Sequence, residues 1–293
     1  MGYKIAQVII QGHSHKKSDP IIPCQDFGKA GTLNNGFHVI IVSDGAGSSK
    51  YSHIASEFCV NTLYTNVEIK DFSEFVEKPI DIDAIQLKWK NFCLNLFSEV
   101  RSALLEKAKL ETIQTGDLNC TLILIIKTQW GFLCANIGDG RSGFSDGQPR
   151  ELIVPFMTYT AGATYFLIKD GWEQIFRSYV VIPESPEAVE YFFASSDGCQ
   201  DFIIDWSLSG PKTGIYDDIL GNEAFYDSNK PFNPFFHGLI KSLNEVQTEN
   251  EVNERLKNLI EKGLYVCNGE TKELKSINSP LLDDDKTLIV FFK

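Results

Sequence analysis

Three times in this chain a run of apolar residues stops at Asp-Gly: HVIIVSDG ends on Asp44 and Gly45, FLCANIGDG on Asp139, and YFFASSDG on Asp197 and Gly198. Short runs that are rich in β-branched and aromatic residues and closed by turn residues read as strands. A carboxylate at the end of a strand is carried by a rigid element and projects from the sheet edge. Two further acidic positions belong with these: Asp284 in LLDDDKTLIVFF, just ahead of the last apolar run, and Asp26 in PCQDFGK. The Asp-Gly pairs at Asp146 and Asp170 sit between polar stretches and read as plain turns.

The strand reading covers Ile5–Ile10, Phe37–Val42, Thr121–Lys127, Phe132–Ile137, Tyr191–Ala194 and Thr287–Phe292. Between them the apolar period changes. Ile85, Trp89, Phe92, Leu96, Val100 and Leu104 follow one another at steps of three or four and make one helical stripe. A second helix follows His53, with Ala55, Cys59 and Leu63 on one face. A third opens on a capping box, Thr248 with Glu251, carries Val252, Leu256 and Ile260, and stops at Gly263. Strands and helices do not alternate regularly, so a doubly wound parallel sheet fits poorly. Two antiparallel sheets with helices packed outside them fit better. No repeat or linker divides residues 1–293, and a single domain is expected, with an irregular loop at 205–235 where Gly, Pro, Asn and aromatics concentrate.

Asp and Glu number 39 against 27 Lys and Arg, a net charge of −12. Such a chain repels phosphate backbones and anionic lipid, which argues against unassisted binding to nucleic acid or a membrane surface. The same charge constrains the strand-end carboxylates. Two unit charges about 4 Å apart repel by about 4 kcal/mol at an effective dielectric near 20. If the aspartates converge, they need raised pKa values or hard cations, and oxygen ligands without nearby His or Cys suit Mg²⁺ or Mn²⁺. Spacing alone leaves open whether they converge or stand apart as solvated turns. The seven cysteines form no C-x-x-C pair, and Cys59, Cys120 and Cys134 lie within apolar runs, the pattern of reduced, buried thiols in a cytoplasmic protein. No apolar run approaches the ~18 residues that a spanning helix needs, and the first apolar stretch is too short for a signal peptide, so a soluble protein is expected.

Taken in order, Gln25-Asp26, VSDGAGSS, NCTLILI, IGDGR, SSDG and DDDKTLIV resemble the signature series of the metal-dependent protein phosphatases, type 2C. The spelling of CQD and DGAGSSKYS is nearest a bacterial-type branch. The resemblance implies an α+β fold, a four-layer α-β-β-α sandwich, with a flap or loop insertion within about 145–180. It implies a serine/threonine protein phosphatase that cleaves phosphoserine and phosphothreonine with a hydroxide bridging two divalent metals, Mn²⁺ or Mg²⁺, beside a third, weaker site. The matches imply catalytic roles for Asp26 and Asp44. Asp44 would bridge both metals, Gly45 would lend a backbone carbonyl, and Asp197 and Asp284 would complete one metal's shell. Asp26 would act through a metal-bound water, and Asp139 would join Asp197 at the third site. The implied partner is a phosphorylated protein, in opposition to a Ser/Thr kinase.

The chain departs from the family pattern in three places. No arginine precedes CQD, which leaves His15, Lys16 and Lys17 as candidates to bind the substrate phosphate. The usual G-D-S-R reads Gly138-Asp139-Gly140-Arg141, and Ala46 stands where some members carry a histidine, so water would protonate the leaving group. Two other readings stay open: a catalytically weak or inactive type-2C-like binding or regulatory module, which the missing arginine favours, and a structural protein stabilised by calcium or magnesium. A dinucleotide site is excluded, because GDGRSG is followed by a turn and a strand-like run rather than by a helix.

Overall fold

The computed structural model describes residues 2–158, 164–205, 213–217, 222–226, 229–273 and 282–293. The first part of the chain forms β1 (Lys4–Ile10), α1 (His13–Lys17), β2 (Phe27–Thr32), β3 (His38–Ser43), α2 (Ser52–Ile69) and α3 (Ile82–Leu110). The middle forms β4 (Leu122–Lys127), β5 (Phe132–Ile137), β6 (Arg141–Ser145), β7 (Pro149–Glu151), β8 (Phe156–Thr158), α4 (Trp172–Ile175), β9 (Arg177–Val181) and β10 (Tyr191–Ser195). Then come α5 (Gln200–Ile203), β11 (Ile204–Asp205), β12 (Thr213–Asp217), β13 (Asn222–Tyr226) and β14 (Lys230–Pro231). Last are α6 (Asn233–Leu243), α7 (Glu249–Glu261), β15 (Leu264–Cys267), β16 (Glu270–Glu273) and β17 (Lys286–Phe292).

Two five-stranded sheets carry the architecture, one in the order β1-β17-β10-β6-β7 and the other β2-β3-β4-β5-β9. Every pairing within them is antiparallel. Successive side chains on a strand point to opposite faces, and here both faces are buried. On β3, Val39 and Ile41 pack with Ala55, Leu63, Trp89 and Leu96 of α2 and α3. Ile40 and Val42, on the other face, join Phe192 and Phe291 from the second sheet. On β17, Leu288, Val290 and Phe292 meet Phe236, Leu239 and Leu256 of α6 and α7, while Ile289 and Phe291 face the first sheet. Three apolar layers therefore separate helices, sheet, sheet and helices. This is the expected α+β sandwich, and double burial is why its central strands read as unbroken apolar runs.

The strands and helices expected from apolar period are all present. Helix α3 runs past both ends of the predicted stripe, and the Asp81 side chain caps it by accepting from the Ala84 N–H. Thr248 and Glu251 form both halves of the capping box of α7. Among the elements missed were β2, β6, β7, β9, β15, β16 and α6. The segments FGKAGT and RSGFS have small or polar residues and no alternation. They become strands because neighbours offer unpaired edges. Within 205–235, expected as an irregular loop, the described residues include β12 and β13, which pair with each other, and β13 pairs also with β8. TGIYD and NEAFY lie among Gly, Pro and Asn, whose turn signals hid them in the sequence. The expected flap at 145–180 includes 159–163, which lie outside the described residues.

Phe192 stands at the centre of the sheet-to-sheet layer, stacked on Phe291 with ring centroids 4.8 Å apart and edge-on to Phe132 at 5.5 Å. Phe192→Ala is expected to cost about 3–5 kcal/mol of unfolding free energy, read from urea denaturation with an unchanged slope.

Candidate active site

Sheet register brings the strand-end aspartates to one rim. Phe27 of β2 lies opposite Ser43 of β3, so Asp26 and Asp44 flank the same edge. Strand β5 ends at that edge, and Gly138–Gly140 carry the chain across to the second sheet, where Arg141 of β6 lies opposite Ser195 of β10. Leu288 of β17 also lies opposite Ser195, which puts Asp284 beside Asp197. Asp26, Asp44 and Asp139 thus arrive from one sheet, and Asp197 and Asp284 from the other. The crossover needs glycine: Gly138 has φ +110°, and a Cβ there would come 2.5 Å from the Thr121 side chain.

Between the two rims lies a cleft of about 610 Å³, lined by Asp44, Gly45, Asp139, Asp197, Asp284 and Asp285 among others. Gly45 is tightly held, since a Cβ would come within 2.7 Å of the Gln25 carbonyl and 2.8 Å of Ser52. Thr121 pins Asp44 from both sides: its hydroxyl accepts from the Asp44 N–H at 2.9 Å, and its N–H donates to the Asp44 carbonyl at 2.8 Å. Asp26 is buried behind the cleft and accepts a hydrogen bond from the Ser196 hydroxyl at 2.5 Å. That hydroxyl in turn accepts from the Thr287 N–H at 2.9 Å.

Asp284 and Asp285 divide their work. Asp285 is buried, and both its carboxyl oxygens are committed: Oδ1 accepts from the Gly12 N–H at 2.6 Å and lies 3.0 Å from His15 Nδ1, and Oδ2 accepts from the Gln25 N–H at 2.6 Å. Among the described residues the Asp284 side chain accepts only from the Asp285 N–H, at 2.9 Å on Oδ1, and it lines the cleft. Lys286 points back onto the Asp284 carbonyl at 2.6 Å.

Loss of water raises the pKa of Asp26, Asp44 and Asp139 first, and neighbouring carboxylates raise each of them further. Asp44 responds to the charges of Asp26, Asp197 and Asp139 and is raised again by a carboxyl–carboxyl hydrogen bond with Asp197. These side chains are close enough to repel one another. Among the described residues, no three acidic, imidazole or thiol groups are already closed around one point as a finished metal shell. The carboxylates are adjacent and, when ionised, concentrate negative charge in one place. That donor set, all oxygen and short of positive charge, fits hard divalent cations.

Of the other sequence candidates, His15 is engaged with Asp285, and Lys16 pairs with Glu261 at 2.8 Å. Neither belongs to the cleft lining, whose one cation among the described residues is Lys169. Sequence reasoning missed Ser196, the clamping role of Asp285, and Lys169. Ser196 adjoins a motif aspartate in SSDG, a position that could have drawn notice; Lys169 sits in a polar KDG turn that carries no signal.

A family model described as protein phosphatase 2C matches residues 11–261. The chain belongs to the protein phosphatase 2C family. Among solved structures, it resembles the serine/threonine phosphatase Stp1 from Staphylococcus aureus, with TM-score 0.56 and 13% identity over 100% of this chain and 96% of that one. A bacterial serine phosphatase aligns with TM-score 0.55 and 12% identity over 99% of this chain and 97% of that one. The photosystem II phosphatase PBCP aligns with TM-score 0.54 and 13% identity over 100% and 99%. At these identities the likeness is one of fold. No curated protein sequence matches the chain.

Folding raises Asp26, Asp44 and Asp139 above their ordinary value of 3.8. Without cations, the native state therefore holds more protons than the unfolded chain over the interval between the two values. The stability tied to these groups is complete below the unfolded pKa and is lost as pH rises through the folded one. In EDTA the melting temperature should fall from about pH 5 to about pH 8, and saturating Mn²⁺ or Mg²⁺ should abolish that fall. Differential scanning fluorimetry tests this, and a flat profile in EDTA would contradict it.

Proposed function

We propose that the protein hydrolyses phosphoserine and phosphothreonine in protein substrates with Mn²⁺ or Mg²⁺ held at the carboxylate rim. The observation that carries this reading is the convergence of aspartates from both sheets on one cleft, where their charges oppose one another and ask for cations. Two of the structural neighbours are described as a serine phosphatase and a serine/threonine phosphatase, which supports the same substrate class.

In this reading Asp44, Gly45, Asp197 and Asp284 would hold two cations, Asp44 serving both. Asp26 would contribute through water, and Asp139 with Asp197 would hold a third. Bound divalent cations supply an acidified water for in-line attack on phosphorus and neutralise the phosphoryl oxygens. The chain's own part is to fix the ligands. Thr121 holds the Asp44 backbone, and Ser196 orients Asp26. Burial pushes up the thiols of Cys24 and Cys199, the cysteines nearest Asp26, so both are protonated and poor nucleophiles. That favours direct attack by water over a covalent thiol intermediate. The whole of 1–293 would serve as one catalytic domain, with a flap within about 145–180, acting in the cytoplasm against a Ser/Thr kinase. All seven cysteines are free, in keeping with that location, and among the described residues no helix is long and apolar enough to cross a membrane.

Hydrolysis of para-nitrophenyl phosphate and of a phosphothreonine peptide should require Mn²⁺ or Mg²⁺ and stop in EDTA. Asp44→Ala, Asp197→Ala and Asp284→Ala should each lower turnover by at least about 10²-fold. Asp44→Ala should also melt no lower than wild type in EDTA, because it removes a repelling charge. Wild-type turnover that persists in excess EDTA would overturn the reading.

A further inference from the structure

Residues 166–172 bring Phe166 and one charged residue, Lys169, to the cleft wall from a turn that is otherwise tied down. The Leu167 N–H donates to the Cys120 carbonyl at 3.1 Å, and Leu167 and Ile168 are buried against α2 and α3. Arg101 on α3 donates to the Ile168 carbonyl at 3.2 Å and to Asp170 at 2.9 Å. Trp172, just beyond, is buried in the same layer. Lys169 lies in the middle of these anchors. Its N–H closes the turn onto Phe166 at 3.3 Å, but its ammonium makes no hydrogen bond or ion pair among the described residues.

Lys169 is an exposed residue of the cleft wall that pairs with no described aspartate. Five aspartates line the cleft: 44, 139, 197, 284 and 285. Divalent cations would offset most of this charge and that of Asp26 behind it, and Lys169 adds a further positive charge for an entering phosphate monoester dianion. An ammonium on a long flexible stem is a compact donor suited to a phosphoryl oxygen.

We propose that Lys169, presented on the turn that Arg101 anchors, binds the phosphate of the substrate in the cleft. This rests on the phosphatase reading above. Of the cations suggested by sequence, His15 and Lys16 are already engaged by Asp285 and Glu261, and Lys17 is exposed and outside the cleft lining, which leaves this role to Lys169.

The test uses the full chain loaded with Mg²⁺ and para-nitrophenyl phosphate as substrate. Lys169→Ala should raise KM by about tenfold, the loss of one charge-assisted hydrogen bond, and leave kcat within about twofold. Lys169→Arg should stay near wild type. Inorganic phosphate, measured both as a competitive inhibitor and by calorimetric titration of the Mg²⁺-loaded protein, should bind Lys169→Ala weaker by the same factor. Unchanged KM and unchanged phosphate affinity in Lys169→Ala would mark the residue as a solvated lysine and overturn the inference. A wild-type protein without turnover would overturn the phosphatase reading instead.

Discussion

Mutual repulsion among the rim carboxylates is the constraint around which this structure is arranged. Burial and neighbouring carboxylates, Asp197 across the gap among them, raise the pKa of Asp26, Asp44 and Asp139, and a chain gains nothing from such an arrangement unless something positive is to be placed there. The cost is carried by the sandwich. Three apolar layers, with Trp89, Phe192 and Phe236 among their fully buried side chains, hold the strand ends in place against that repulsion. Removing water from the carboxylates strengthens both their repulsion and their appetite for cations. The site and the stability of its scaffold therefore pull in opposite directions.

Adjacent aspartates take separate roles because the backbone around them differs. Asp285 is surrounded by N–H donors from the beginning of the chain and is spent as a clamp, joining Gly12 and Gln25 to the start of β17. Asp284, one residue earlier, accepts only from the Asp285 N–H among the described residues and lines the cleft. Ser196 works similarly at the opposite rim, joining Asp26 to Thr287 through one hydroxyl. Each link crosses between segments far apart in sequence, so the geometry of the rim is a property of the closed sandwich rather than of any single motif.

Much of the fold was legible because doubly buried strands and long amphipathic helices leave strong periodic signals. HVIIVS, LILIIK and KTLIVFF could hardly be anything else, and the α3 stripe and the α7 capping box located their helices. Strands such as β2 and β6 were not legible, since FGKAGT and RSGFS owe their conformation to neighbours and not to propensity. At the site, the aspartates were readable as strand-end residues, while their convergence follows from register, which sequence alone does not state. The fate of His15 and Lys16 depended on the partners that α1 meets, Asp285 and Glu261, which lie 270 and 245 residues away along the chain. Lys169 was invisible for the converse reason: its importance lies in the anchors on either side of it.

The strand that completes the rim carries a temporal consequence. β17 lies between β1 and β10 in its sheet, yet it is the last of the described strands to be synthesised. Until it arrives, β1 has no partner, Asp284 and Asp285 are missing from the rim, and Thr287 cannot meet Ser196. A nascent chain can complete the helix-covered half built on β2–β5, but its acidic cleft assembles only once the final strand slots between two that have been waiting for it. The ribosome thus delivers a chain whose cleft stays incomplete until that strand is made.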